Sequence, residues 1–178
     1  MRLCLLLLVA SISGCVAPGD ELETGAQAII GGQTVQVGAY PTVVALELGG
    51  GLCTGTLVDR EWILTAAHCV EGVTAAQVRV IVDDVDVEDA TNTGQRLTVS
   101  AIHSHPGYDT NNLGDNDVAL MKLSAPLDRT PTPIHRASPA VGTTFTTVGY
   151  GVNQAPDTGS GVLRKLTSAS TGCAQYQL

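Results

Sequence analysis

Short apolar runs alternate along most of the chain with breaks rich in Gly, Pro, Asn and Asp, and helical periodicity is largely missing. The pattern predicts strands over 42–48, 52–58, 62–65, 78–82, 96–103, 119–123 and 143–148, with a single helical turn over 66–70. Short β-rich runs between turn residues are the signature of an all-β sandwich or barrel. The first 14 residues break the pattern. Arg2 gives a minimal positive start, and the apolar run from Leu3 to Ile12 is too short to span a bilayer, so 1–14 reads as an export signal.

Composition narrows the picture. At 178 residues the chain is one domain, or two small barrels sharing an interface. Nine Lys+Arg against 17 Asp+Glu leave a formal charge of −8, which argues against nucleic acid or anionic lipid headgroups as partners. Hydrophobic residues make up 44% but aromatics only 3%, so Val, Leu, Ile and Ala must fill the interior, as strands favour. The 20 Gly and eight Pro fit a chain with many tight turns.

The run Ile12-Ser13-Gly14-Cys15 is similar to a bacterial lipobox. That resemblance implies cleavage before Cys15 and acylation of the new terminus, and two or more acyl chains suffice for stable anchoring. An ordinary secretory signal, with Cys15 incidental, is the alternative; the expected address is a bacterial membrane-anchored lipoprotein or a secreted protein. Residues 15–28 are small and polar, and read as a linker or pro-segment. With Cys4 in the signal and Cys15 at the lipid position, Cys53, Cys69 and Cys173 remain.

Three motifs follow in order: Ile29-Ile30-Gly31-Gly32, then Thr65-Ala66-Ala67-His68-Cys69, then Asp115-Asn116-Asp117-Val118-Ala119-Leu120. Together they resemble the amino-terminal, histidine and aspartate signatures of the chymotrypsin/trypsin-like serine endopeptidases. Val148-Gly149-Tyr150-Gly151 is similar to that family's Gly-Trp-Gly turn, with Tyr for Trp. The resemblance implies two six-stranded antiparallel barrels with the active site between them. Residues 29–125 would form a complete first barrel and 140–178 the opening strands of a second, within an incomplete protease domain over 29–178. A half-built barrel exposes an edge and an apolar face, so the chain after Gly149 is expected to be loosely held.

The same resemblance gives roles. His68 would be the general base, a group that titrates near neutrality and so can take and return a proton. Asp117, directly before an apolar strand, would fix its tautomer; Asp115 is the competing carboxylate. Cys53 and Cys69 would form a bridge, and Ile29 the mature amino terminus, although Ala28 does not suit a trypsin-like activator. The family's nucleophile run, Gly-Asp-Ser-Gly-Gly, does not occur in the sequence, and its oxyanion donors and specificity pocket belong to the same segment. The usual partner of Cys173 belongs there too. Asp157-Thr158-Gly159-Ser160-Gly161 falls where the family has a variable loop, and reads as one.

Three functions remain open on this reading. The chain is a truncated or degenerate serine-endopeptidase homologue without activity, a fragment of an active exported protease, or a lipid-anchored module that binds polypeptides without cutting them. The expected partner is a polypeptide substrate or inhibitor. No cofactor or metal is expected. Asp83, Asp84, Asp86, Glu88 and Asp89 lie where some relatives carry a calcium loop, but calcium needs six to eight converging oxygens, and the alternation with Val85 and Val87 suggests an edge strand with one charged face. His103 and His105, with no cysteine or carboxylate at zinc spacing, read as surface residues.

Overall fold

The computed structural model describes Ile29 and residues 31–91, 94–111, 115–153 and 159–170. The export signal, the linker at 15–28, Cys15 and Cys173 lie outside these residues. The described elements are strands β1 (Gln33–Thr34), β2 (Val43–Leu48), β3 (Gly51–Asp59), β4 (Trp62–Thr65), β5 (Val78–Val82), β6 (Gln95–Ser104), β7 (Ala119–Leu123), β8 (Thr144–Gly149) and β9 (Arg164–Ala169), with helical turn α1 (Ala67–Val70) after β4 and a 3-10 turn at Ala75–Gln77. Every strand pair is antiparallel. Strands β2–β3–β4–β7–β6–β5 close into a barrel, and β1–β9–β8 form a three-stranded sheet beside it. The fold is therefore all-β, a complete trypsin-like first barrel with a partial second one.

Successive residues of a strand face opposite sides, and β2 and β5 use both faces. Val44, Leu46 and Leu48 of β2 and Val78, Val80 and Val82 of β5 point into the barrel with Leu57, Ile63, Met121 and Leu123. Ala45 and Ile81, from the alternate positions, join Tyr150 and Leu163 in a second core between barrel and sheet. The barrel interior is aliphatic, as the low aromatic content requires. Gly55 is the tight point of this packing, because a Cβ there would lie 2.5 Å from Ile63 Cγ2. A bulge between Val99 and Ala101 bends β6 against β7, and the Ser100 hydroxyl at the bulge donates to the carbonyls of Lys122 and Leu123, both at 3.2 Å.

One expectation is corrected. Residues 83–89 are not an edge strand. Asp83 has a left-handed φ of 61°, and the Asp84 and Asp86 carboxylates accept from the amides two residues on, at 2.9 and 3.2 Å, folding the segment into successive turns. One isolated bridge, Asp86 to Val162, remains. Past Gly149, the described residues include β9, which pairs with β8 over six residues and with β1 on its other edge. That β1 pairing draws the start of the predicted first-barrel segment into the second sheet.

The connection between barrel and sheet is strapped to the barrel. Arg129 Nη2 donates to both carboxylate oxygens of Asp83 at 2.8 Å and Nη1 donates to the carbonyl of Pro41, while the Thr132 amide donates to the Leu57 carbonyl at 2.9 Å.

Candidate active site

The register of β4 on β7 builds the site. Thr65 lies opposite Ala119, so the chain leaving β4 and the chain entering β7 meet at one end of the barrel. Three residues beyond Thr65 is His68, on α1; two residues before Ala119 is Asp117. The Thr65 hydroxyl donates to the Thr54 carbonyl at 3.0 Å, fixing the exit of β4 on β3.

His68 and Asp117 make two contacts. Nδ1 of the ring lies 2.6 Å from Asp117 Oδ2, and the His68 amide donates to Oδ1 at 2.8 Å. An ionised carboxylate only accepts, so Nδ1 carries the proton and, in the neutral ring, Nε2 carries the lone pair. The pair is partly exposed, with 27% of the His68 side chain and 19% of the Asp117 side chain accessible. Burial pushes the Asp117 carboxyl up, but the hydrogen bonds from the His68 ring and amide, with the His68 charge and the Ala67 amide, outweigh it and hold the group below its ordinary value. Of the two carboxylates in the Asp-Asn-Asp run, Asp117 is the one bonded to the ring; Asp115 is exposed.

Cys53 on β3 and Cys69 on α1 are joined in a disulfide with Cα atoms 6.2 Å apart. Their bond ties α1 to the barrel, and Cys69 Sγ lies 3.5 Å from His68 Nε2. The ring is thus held on one nitrogen by Asp117 and flanked at the other by sulfur.

Asn116 is a site residue that the motifs did not single out. Its φ is 56°, a left-handed conformation that Asn tolerates, and its side chain donates to the Gly107 carbonyl at 3.0 Å. This turn aims Asp117 at α1. An Asn directly before the aspartate was the available signal. Tyr108 packs against the barrel core from the same loop, its hydroxyl oxygen buried. Burial, and then the charges of Glu71, Asp117 and Asp109, raise its pKa.

The other predicted positions lie apart. His103 is exposed on β6 and tilts against the Trp62 ring at 5.7 Å; the exposed His105 accepts from the Gly107 amide through Nδ1 at 3.1 Å. Ser160 sits in a turn whose next residue, Gly161, donates to the Tyr150 carbonyl at 2.9 Å and accepts from Val87 at 3.0 Å, on the side of the second core. Ile29 is buried, its amide donating to the Val152 carbonyl at 2.7 Å. A Cβ on Gly149 would lie 3.4 Å from Ile29 Cδ1 and 2.8 Å from Thr54 Oγ1, so the glycine of the Val-Gly-Tyr-Gly run admits both.

Comparison with known proteins agrees with this geometry. The trypsin family profile matches residues 29–176. The chain is similar to trypsin from Xenopus laevis, 30% identical over 149 residues that cover 82% of this chain and 57% of that protein. It is similar to trypsin from Sus scrofa, 34% identical over 127 residues that cover 69% of this chain and 53% of that protein. Similarity extends to chymotrypsin-like elastase family member 1 from Rattus norvegicus, 35% identical over 111 residues, or 59% of this chain and 41% of that protein. The chain spans about half the length of the curated relatives it matches.

Proposed function

The chain belongs to the trypsin family, and from that premise we propose that His68 is the general base and Asp117 its orienting carboxylate for acyl transfer at a peptide bond. The 178 residues contain no Gly-Asp-Ser-Gly-Gly run, so this reading assigns them no nucleophile, and the polypeptide by itself is expected to be inactive. The observation that carries the reading is the double contact of Asp117 with His68. In the reaction, Nε2 takes the proton of an attacking hydroxyl and returns it to the leaving amine, while Asp117 holds Nδ1–H and stabilises the imidazolium. Loss of a nucleophile costs about six decades in kcat, and an asparagine in place of the aspartate about four; the second figure comes from a worked example within this family.

The test uses a fluorophosphonate probe, which labels an activated serine, together with a peptide substrate. The 178-residue polypeptide is expected to take no label and release no product. A chimera extended by the unmatched carboxy-terminal part of the Xenopus laevis trypsin should gain both, and lose turnover on His68→Ala. Labelling of the unextended chain, or a chimera indifferent to His68→Ala, sinks the proposal.

The disulfide is consistent with an exported protein, since such bonds persist in oxidising compartments. The finer part of that address, a lipid anchor on Cys15, rests on the lipobox-like run. Palmitate label that disappears in Cys15→Ala would support it, and an unlabelled native protein would exclude it.

A further inference from the structure

We infer that reduction of the Cys53–Cys69 bond uncovers a binding site for a soft divalent cation such as zinc, made of both cysteine sulfurs and His68 Nε2. These three donor atoms lie within 4.8 Å of one another. With the disulfide intact the sulfurs are not thiolates and hold no metal. Once reduced, they are two of the preferred ligands for tetrahedral zinc, and imidazole is the third.

The geometry fits beyond mere proximity. With zinc–sulfur bonds of about 2.3 Å and zinc–nitrogen bonds of about 2.05 Å, a tetrahedral site has a nitrogen–sulfur edge of about 3.6 Å. His68 Nε2 already stands 3.5 Å from Cys69 Sγ. The Cα atoms of the two cysteines are 6.2 Å apart, and side-chain rotation must open the sulfurs to an edge of about 3.8 Å. The ring also arrives in the correct tautomer. Metal-bound histidines commonly donate their other nitrogen to a carboxylate, and Nδ1 lies 2.6 Å from Asp117 Oδ2, which leaves the Nε2 lone pair facing the sulfurs. The ring and both cysteines are only partly buried, so an ion can enter, and water completes the fourth position.

The chemistry balances with a water-soluble trialkylphosphine as reductant. The S–S bond takes two electrons and two protons, giving two thiols; the phosphine takes oxygen from water as its oxide. Metal binding then releases both thiol protons to solvent. The ion would occupy the nitrogen that the functional reading assigns to proton transfer. That consequence rests on the reading, whereas metal stoichiometry and spectrum do not, so the two can fail separately.

The experiment takes the 178-residue chain with Cys4, Cys15 and Cys173 replaced by Ser, and titrates it with Co2+ as the optical probe, then Zn2+. The phosphine-reduced chain should bind one Co2+ with a near-ultraviolet thiolate charge-transfer band that Zn2+ displaces. Oxidised chain should show no such band. His68→Ala should weaken binding at least tenfold and change the spectrum, and Asp117→Asn should weaken it about 10–100-fold. The proposal is overturned if reduced and oxidised chains bind alike, or if His68→Ala is indifferent. A band of unchanged affinity in denaturing urea overturns it as well, because the fold then contributes nothing. A reduced chain that unfolds and gains no band counts the same way.

Discussion

Asp117 caps the helical turn that carries His68. Helix α1 opens at Ala67 after Ala66, which has no side chain able to accept from the first amides, and Asp117 Oδ1 takes the His68 amide at 2.8 Å in its place. The other oxygen of the same carboxylate takes the ring at 2.6 Å. One side chain therefore fixes both the backbone and the imidazole of His68. Loss of a cap costs about 1 kcal/mol, and hydrogen bonds to charged groups more, but partial exposure keeps this pair at the lower end. Asp117→Ala should lower stability by about 1–2 kcal/mol and speed hydrogen exchange at the His68 amide. Unchanged protection of that amide would show that the carboxylate does not cap α1.

The same pair sets an acid limb. The folded Asp117 carboxyl lies below its ordinary value because of the His68 contacts. A depressed folded pKa means the unfolded chain binds the proton more readily, so the stabilisation is present above the unfolded value of about 3.9 and is lost as pH falls through the lower folded one. Asparagine mimics the neutral acid. The gap in urea midpoint between the parent chain and Asp117→Asn should be largest near neutrality and shrink below about pH 4. A gap that stays constant to pH 2 would place the stabilisation elsewhere.

Tyr150 should leave an alkaline signature. Its hydroxyl donates to the Asp84 carbonyl at 2.5 Å within the second core, and burial, then the charges of Asp84 and Asp83, push its pKa well above the ordinary range. The folded state favours the neutral phenol, so this stabilisation holds below about pH 10 and is lost as pH rises. In a spectrophotometric titration of the four tyrosines, part of the phenolate signal should appear only on alkaline unfolding, and Tyr150→Phe should remove that part. Removing the hydroxyl should also cost about 1 kcal/mol. A parent chain whose tyrosines all titrate before unfolding would contradict this.

The Cys53–Cys69 bond closes a span of 16 residues that contains β4 and the start of α1. Loop closure of that size contributes about 3 kcal/mol in the chain-entropy description. Replacing both cysteines with Ser should lower the unfolding free energy by about that amount. A loss below about 1 kcal/mol would mean that residual structure already restrains this span in the unfolded chain.

Much of this arrangement was legible in the residues. The barrel strands announced themselves because one or both faces are buried and their apolar positions recur with period two; the predicted 78–82 and 119–123 coincide with β5 and β7. His68 and Asp117 stood in motifs whose spacing the β4–β7 register explains. β9 was missed because Arg164–Ala169 buries neither face fully, and its strand form comes from main-chain pairing with β8 and β1. The segment 83–89 misled for the opposite reason. Val85 and Val87 do pack onto the second core, which gives the sequence its alternation, but Asp84 and Asp86 turn the backbone between them.

Gly55 is the position where the barrel tolerates least. A Cβ there would stand 2.5 Å from Ile63 Cγ2 and 3.2 Å from both Leu46 Cδ1 and Val44 Cγ2, and all three neighbours are fully buried. None is the free end of a flexible surface chain. Gly55→Ala removes backbone freedom from the unfolded state, a gain of about 0.4–1 kcal/mol, but overpacking a closed core costs about 1–3 kcal/mol and should win. The closest contact is the γ-branch of Ile63, so Ile63→Leu, which moves the branch outward at constant volume, should relieve it. The double variant is expected to be more stable than the sum of the single changes by at least about 0.5 kcal/mol in urea unfolding. Strict additivity would mean the strain is taken up by a shift of β3 instead, and hydrogen exchange along Gly51–Asp59 in Gly55→Ala would then rise.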